Sequence, residues 1–346
     1  MTKKIIFFSI DRLGDYLIRS NTIKNISSNY DNVEIICSEK NYKLISNQKF
    51  FNKVSFFNTK KKLINKLIFL KHYFFKKYDT AISFDGKNIS YILILFIRAK
   101  NKHVYVYKKS GLLNILLSKK LTFLFKLLGI NYIFLNNKEI IEKNKLDNYP
   151  LKYNLLKNFY SIKSKKIYYL QQSKKNIFFE FKNKYILIHL DEKFNDINDI
   201  DLNFEKTLSK FKKNFKKKIF LSSYKNSFDY YKKLNLPKVN FEKINPKILK
   251  KSKMLIIENI PINDFQSMIN NSFYNISCHA GYVVHTSLAL NRNTLDIINE
   301  KDQKWVKTWL YKPQKYQIIL KTKRYKSRNI NEIFLEINNV VNKAMI

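Results

Sequence analysis

Glycine, cysteine and acidic side chains are scarce in this chain: 346 residues hold five glycines, two cysteines and 26 Asp and Glu, against 66 Lys and Arg. No G-x-G-x-x-G dinucleotide fingerprint and no G-x-x-x-x-G-K-[ST] phosphate loop is present. Cys37 and Cys278 lie apart in short apolar runs, without CxxC or Cys/His spacing. They read as buried thiols rather than zinc ligands, in keeping with a reducing cytoplasm. The H-E-x-x-H and G-x-S-x-G signatures are missing as well. Long hydrophobic runs are also lacking. The amino terminus reaches Asp11 and Arg12 before a signal-peptide core is complete, and the longest apolar run is ISYILILFI, 89–97. A membrane-spanning helix needs ~20 such residues. The expectation is a soluble or peripherally bound protein.

Positive charge is abundant instead. A formal net charge of +40 calls for a negative partner, such as nucleic acid, an anionic membrane face or phosphorylated substrates. The lysines are spread along the whole chain, so a generally basic solvated surface is the alternative. A hydrophobic fraction of 45% argues for well-filled cores, and the length suits two domains.

Short apolar runs alternate with helical spacing, the pattern of α/β layers. Strands are predicted at 3–9, 33–37, 53–57, 79–84 and 102–107, with helices such as 14–28 and 60–76 between them. In the second helix, Leu63, Leu67, Leu70 and Phe74 are expected to pack on the sheet. The rhythm restarts with strands at 184–190, 217–222, 253–257, 274–278 and 293–298. A last helix, 329–345, puts Ile330, Ile333, Phe334, Ile337, Val340, Val341 and Ala344 on one face, with Asn329 as its cap. The expected organisation is a Rossmann-like domain over 1–150, a linker at 151–182 and a second Rossmann-like domain over 183–328. The final helix, 329–346, is expected to pack back across the domain junction.

Ligands in such sheets bind beyond the carboxyl ends of the strands, which directs attention to three places. After the first strand comes Arg12-Leu13-Gly14-Asp15, where a glycine at a strand-to-helix turn permits close backbone approach or a positive φ. Asp15 is then either an ordinary acid near a helix start or a group at the lip of a site. After a later strand, His279-Ala280-Gly281 opens a helix whose N–H groups suit a phosphate. His279 is a ligand contact or a polar cap there, and His285 a contact or a half-buried packing residue. Third, His189, Asp191, Glu192 and Lys193 gather at the end of ILIHL, where a lysine would neutralise phosphate charge or remain a solvated loop residue. The D-x-D within DINDID (196–201) reads as a loop or helix cap rather than a metal site.

These places together resemble glycosyltransferase family 9, the ADP-heptose:lipopolysaccharide heptosyltransferases and their relatives. RLGD (12–15) is similar to the R-x-G-D motif of that family, CHAGYVVHTSLALNRNTLDII (278–298) to its strand–glycine–helix segment, and Gly86 to a glycine of an intermediate loop. The resemblance implies a GT-B fold, two Rossmann-like domains facing a cleft, and an inverting transfer from a nucleotide-diphosphate sugar to a cell-envelope glycan or glycolipid. It implies Asp15 as general base, with Arg12 and Gly14 on the acceptor side. Lys193, His279, Ala280, Gly281 and His285 would serve the donor, with Ser222, Ser223 and Glu258 near the nucleotide. No metal and no cofactor beyond the sugar nucleotide is implied. His279 stands where the family has aspartate, so heptose and ADP do not follow automatically.

Two rival readings remain at this stage. One is a basic nucleic-acid-binding protein, although no RNP1, GXXG or zinc-finger pattern is visible. The other is an inactive relative that binds glycan. The stretches 58–77 and 112–128 interleave bulky apolar and basic residues; the first is expected to pack on the sheet with its lysines in water, while the second suits either such packing or the anionic inner face of the inner membrane as a further partner.

Overall fold

A computed structural model describes residues 2–58, 63–107, 112–135, 177–223, 230, 233–279, 281–303, 306, 315–324 and 326–345. The expected linker lies mostly outside these residues, as do Ala280 and the side chains of Leu63, Leu67 and Leu70. The chain divides into two compact units, residues 1–169 and 170–346.

The first unit alternates strand and helix: β1 (Lys4–Ser9), α1 (Leu13–Ser27), β2 (Asn32–Ser38), α2 (Glu39–Ile45), β3 (Lys53–Phe57), α3 (Leu63–Phe74), β4 (Lys77–Ser83), α4 (Asn88–Phe96), β5 (Arg98–Tyr107), α5 (Leu112–Leu127) and β6 (Asn131–Leu135). The strands are parallel in the order β3-β2-β1-β4-β5-β6. Helices shield both faces of such a sheet, which is why β1 is buried from Ile5 to Ser9 and has little polar alternation. Three helices share one face: Tyr73 of α3, Tyr91, Leu93 and Ile94 of α4, and Phe125 of α5 form one core with Ile6, Phe8, Val104 and Val106.

α3 is rotated relative to the sequence expectation. Phe74 is 44% exposed, whereas Tyr73 and the partly buried Phe69 face the sheet. Its sequence, LINKLIFLKHYF, is apolar almost all round, so periodicity alone does not fix which stripe turns inward.

The second unit contains β7 (Tyr185–Leu190), α6 (Ile200–Lys213), β8 (Lys218–Ser223), β9 (Lys238–Asn240), α7 (Pro246–Lys251), β10 (Met254–Glu258), α8 (Ile262–Asn271), β11 (Tyr274–Ser277), α9 (Gly281–Ala289), β12 (Thr294–Ile298), β13 (Tyr316–Leu320), a hairpin of β14 (Thr322–Lys323) and β15 (Lys326–Ser327), and α10 (Ile330–Lys343). Its parallel order is β13-β12-β11-β7-β8-β10-β9. Phe178 and Phe181, at the end of the expected linker, are buried in this unit's core. The cap of α10 is as expected, with Asn329 accepting from the Glu332 N–H at 2.9 Å. Its apolar stripe, Ile330, Ile333, Phe334, Ile337 and Val341, packs beside Phe204 and Phe211 of α6 in the core of the second unit. Asp199 explains the D-x-D: its carboxylate accepts from Ile330 N–H (2.8 Å) and Asn203 Nδ2 (2.9 Å), joining the starts of α6 and α10.

Candidate functional site

In the first sheet, strand order reverses direction between β1 and β4. Doubly wound sheets open a crevice beyond the carboxyl ends at that point. Residues 10–12 lead from β1 into α1, with exposed Arg12 as an extended N-cap whose side chain makes no capping bond. Asp15 lies in the first turn, half-buried, and among the described residues it has no ion pair or hydrogen-bond donor on its carboxylate. Gly14 is buried as the second residue of α1, and positive φ among the described glycines belongs to Gly86 (62°) and Gly129 (63°). The left-handed turn at this crevice is therefore made by Gly86, after β4, and not by Gly14.

A buried charge cluster beneath this crevice escaped the sequence reading. Asp11 pairs with Arg19 of α1, both nearly inaccessible, and accepts from Ser9 Oγ at 3.2 Å. Asp85, after β4, accepts from the Ile10 N–H (2.6 Å), the Lys87 N–H (3.0 Å) and Ser90 Oγ (2.7 Å). The turn that leads into α1, just before Asp15, is thus fastened to the loop carrying Gly86. Burial, then the negative Asp11, pushes the Asp85 carboxyl up to about 6.

In the second sheet the reversal falls between β7 and β11. Strand register puts Leu190, Ser223 and Glu258 in one row at the carboxyl edge. Lys193 follows in a short 3-10 turn, its ammonium 3.7 Å from Asp196. This loop is tied down from two sides. Cys278 Sγ donates to the Lys193 carbonyl (3.2 Å), and buried Lys321 reaches Asp196 at 3.1 Å. Ser222 and Ser223 are buried, and Ser222 Oγ lies 2.9 Å from His189 Nδ1. His189 does not join the loop cluster, because its position in β7 turns the ring inward against Phe265, 5.0 Å away.

After β11, His279 adopts φ 52° and its N–H donates to Asp296 Oδ1 at 2.7 Å. Gly281 is the exposed first residue of α9, and a Cβ there would meet only His285 Cδ2, at 3.9 Å. Packing among the described residues gives no reason for a glycine at this position. His285 is buried one turn on. Asp296, Lys321, Asp11, Arg19 and Asp85 are all additions to the expected residues. Asp296 had a detectable signal, as the single acid inside the apolar strand TLDII.

Burial is the main force that pushes Asp296 up to about 7, against hydrogen bonds from Tyr316 and His279. Its carboxyl keeps its proton in the folded chain while the unfolded chain releases it from about pH 4. This stabilisation is complete below pH 4 and is lost as pH rises towards 7. His103 and His189, held down near 4 by burial, act in the opposite sense in wild type and variant alike. Urea midpoints from pH 5 to 7 should show Asp296→Asn gaining on wild type by about 1.4 kcal/mol per pH unit. A pH-independent difference would mean that Asp296 is ionised throughout.

No protein-family model and no curated protein matches the chain. Solved structures share its fold. A family 9 glycosyl transferase from Veillonella parvula is 10% identical with TM-score 0.65, covering 99% of this chain and 96% of its own. The heptosyltransferase WaaC of E. coli, solved with ADP, is 10% identical with TM-score 0.62, covering 99% of both chains. The E. coli ADP-heptose heptosyltransferase II is 11% identical with TM-score 0.60, covering 99% of this chain and 100% of its own. At this identity the likeness shows the fold, GT-B with two Rossmann-like units.

Proposed function

We propose that this chain, built on the fold of the GT-B heptosyltransferases, is an inverting glycosyltransferase. It moves a sugar from a nucleotide diphosphate to a cell-envelope glycan or glycolipid at the inner face of the inner membrane. The observation that carries the reading is a carboxylate, Asp15, with no partner among the described residues, at the switch point of the first sheet. The second sheet has an exposed, glycine-started helix at its own switch point. That WaaC was solved with ADP supports a nucleotide diphosphate as donor.

The chemistry assigned is a single displacement. Asp15 accepts the proton of the acceptor hydroxyl as its oxygen attacks the anomeric carbon. The bond from that carbon to the diphosphate oxygen breaks, and the electron pair leaves with the diphosphate. Negative charge growing on the leaving group is met by the N–H groups opening α9 and by the Lys193 ammonium. The sugar nucleotide is a co-substrate, and the reading assigns no resident cofactor or metal. Ser223 and Glu258 border the nucleotide, and Arg12 and Gly14 flank the acceptor side.

Donor binding tests this reading directly. A nucleotide at about 100 times its Kd stabilises by about 2.7 kcal/mol, or roughly 5–10 °C in Tm for a unit the size of the second one. ADP-, GDP-, UDP- and dTDP-sugars are compared on wild type and Gly281→Trp. One nucleotide should raise Tm in wild type and not in the variant, whose own Tm stays near wild type because Gly281 is exposed at the helix start and a Cβ there makes only an ordinary contact with His285. No shift with any donor, or a shift unchanged in Gly281→Trp, overturns the assignment.

A further inference from the structure

Among the described residues nine large apolar side chains are more than half exposed; Phe179, Leu202 and Leu335 lie in the second unit, and six lie in the first. Ile68, Phe75, Phe96, Phe123, Leu127 and Leu128, each more than half exposed, belong to α3, α4, α5 or the residue or two that follow them. These helices turn Tyr73, Tyr91 and Phe125 towards the same sheet face, so their opposite sides look outward together. Each helix leads into the amino end of the next strand. Their carboxyl termini therefore gather at the edge of the sheet remote from the crevice of Asp15.

Charge on these three helices is one-sided as well. α3, α4 and α5 contain no Asp or Glu. Lys71, Lys77, Arg98, Lys120 and Lys126 are exposed and have no ion pair among the described residues. Lys76 and Lys100 are held by Glu34 and Asp79. An acid-free face of aliphatic and aromatic tips ringed by cations matches an anionic lipid leaflet, which offers both negative headgroups and a hydrocarbon boundary. Nucleic acid would use the cations and the rings but has no place for Leu127, Leu128 and Ile68. A second copy of the chain would set five cations against five.

We infer that the outer face of α3, α4 and α5, together with the strand edge at their carboxyl ends, seats the first unit on an anionic leaflet. The inference deepens the proposed function by naming the surface that meets the membrane. A strand of six residues rises about 20 Å, so Asp15 stands about that far above the seated edge. Acceptor sugars projecting from a lipid headgroup lie within that reach, whereas the headgroup itself does not.

Flotation of the full chain with phosphatidylcholine vesicles, with and without phosphatidylglycerol, tests this without any donor. Binding is expected only to the anionic vesicles. Each cation near such a surface strengthens partitioning about fivefold, so Arg98→Glu/Lys126→Glu should weaken it at least about 25-fold. Leu127→Gln/Leu128→Gln should weaken it at least about tenfold while keeping the fold, since both side chains are exposed. Lys210→Glu/Lys213→Glu, on the exposed side of α6 in the second unit, should stay within about twofold of wild type. Equal loss in that control, no loss in the leucine variant, or no vesicle binding at all overturns the inference. So does a monomer-to-dimer equilibrium, or RNA binding, that the two first-unit variants abolish while vesicle binding persists. A nucleotide-induced Tm shift retained in the leucine variant separates failure here from failure of the transferase assignment.

Discussion

Asp15→Asn is expected to lower the transfer rate by about 10²- to 10⁴-fold, the range lost with a positioned general base. The substitution keeps the size of the side chain and removes its capacity to take a proton. It costs little structurally, because Asp15 is half-buried and holds no cation or hydrogen-bond donor among the described residues. Its one structural contribution is a negative charge in the first turn of α1, which is worth about 0.3–1 kcal/mol at a helix start. The loss should fall on kcat with KM for the donor nearly unchanged, and the nucleotide-induced Tm shift should be that of wild type. A variant that retains its rate within about threefold would show that another group takes the proton. A variant that loses the nucleotide shift would show that Asp15 serves the donor.

Arg19→Met is expected to destabilise the folded chain by about 3–5 kcal/mol at pH 7, although Arg19 touches no proposed substrate. The guanidinium is nearly inaccessible and is paired with Asp11, in the neighbourhood of the equally buried Asp85. Removing it leaves two carboxyl groups in a low-dielectric pocket without their cation. Urea unfolding should show the lost stability returning as pH falls and the carboxyls take up protons. Asp11→Asn/Arg19→Met should recover most of it at pH 7, because neither half of the pair is then charged. A single variant within about 1 kcal/mol of wild type, or a double variant no better than the single, would show that the pair contributes little.

The strands most legible in the sequence were those buried on both faces. KIIFFS within 3–9 and YILIHL within 184–190 are short apolar runs buried along nearly their whole length, as covered sheet interior is. Those missed have weaker signals for physical reasons. β9 is three residues long, and β13 is an edge strand flanked by lysines at 315 and 321. β6 also lies at an edge, after a helix rich in the same apolar residues. For the candidate site, RLGD and Gly281 fall at strand-to-helix turns of the two sheets, as expected, but Gly14 does not supply a positive φ. Gly14 is an ordinary helical residue, and the positive φ at the crevice sits at Gly86. The Asp11–Arg19–Asp85 cluster was invisible because its members come from β1, α1 and the end of β4. Only the pairing of β1 with β4 brings them together. Lys321 reaches Asp196 across 125 positions for the same kind of reason.

Both cysteines of the chain are buried, and burial pushes Cys37 up to about 12 and Cys278 well above the ordinary thiol range. Thiolate is the reactive form, so the native surface offers almost nothing for a maleimide or an oxidant to attack. The folded protein is in effect a blank slate for labelling. A lone cysteine introduced at an exposed position such as Leu127 becomes its sole chemical address, and a dye attached there reports on that spot alone.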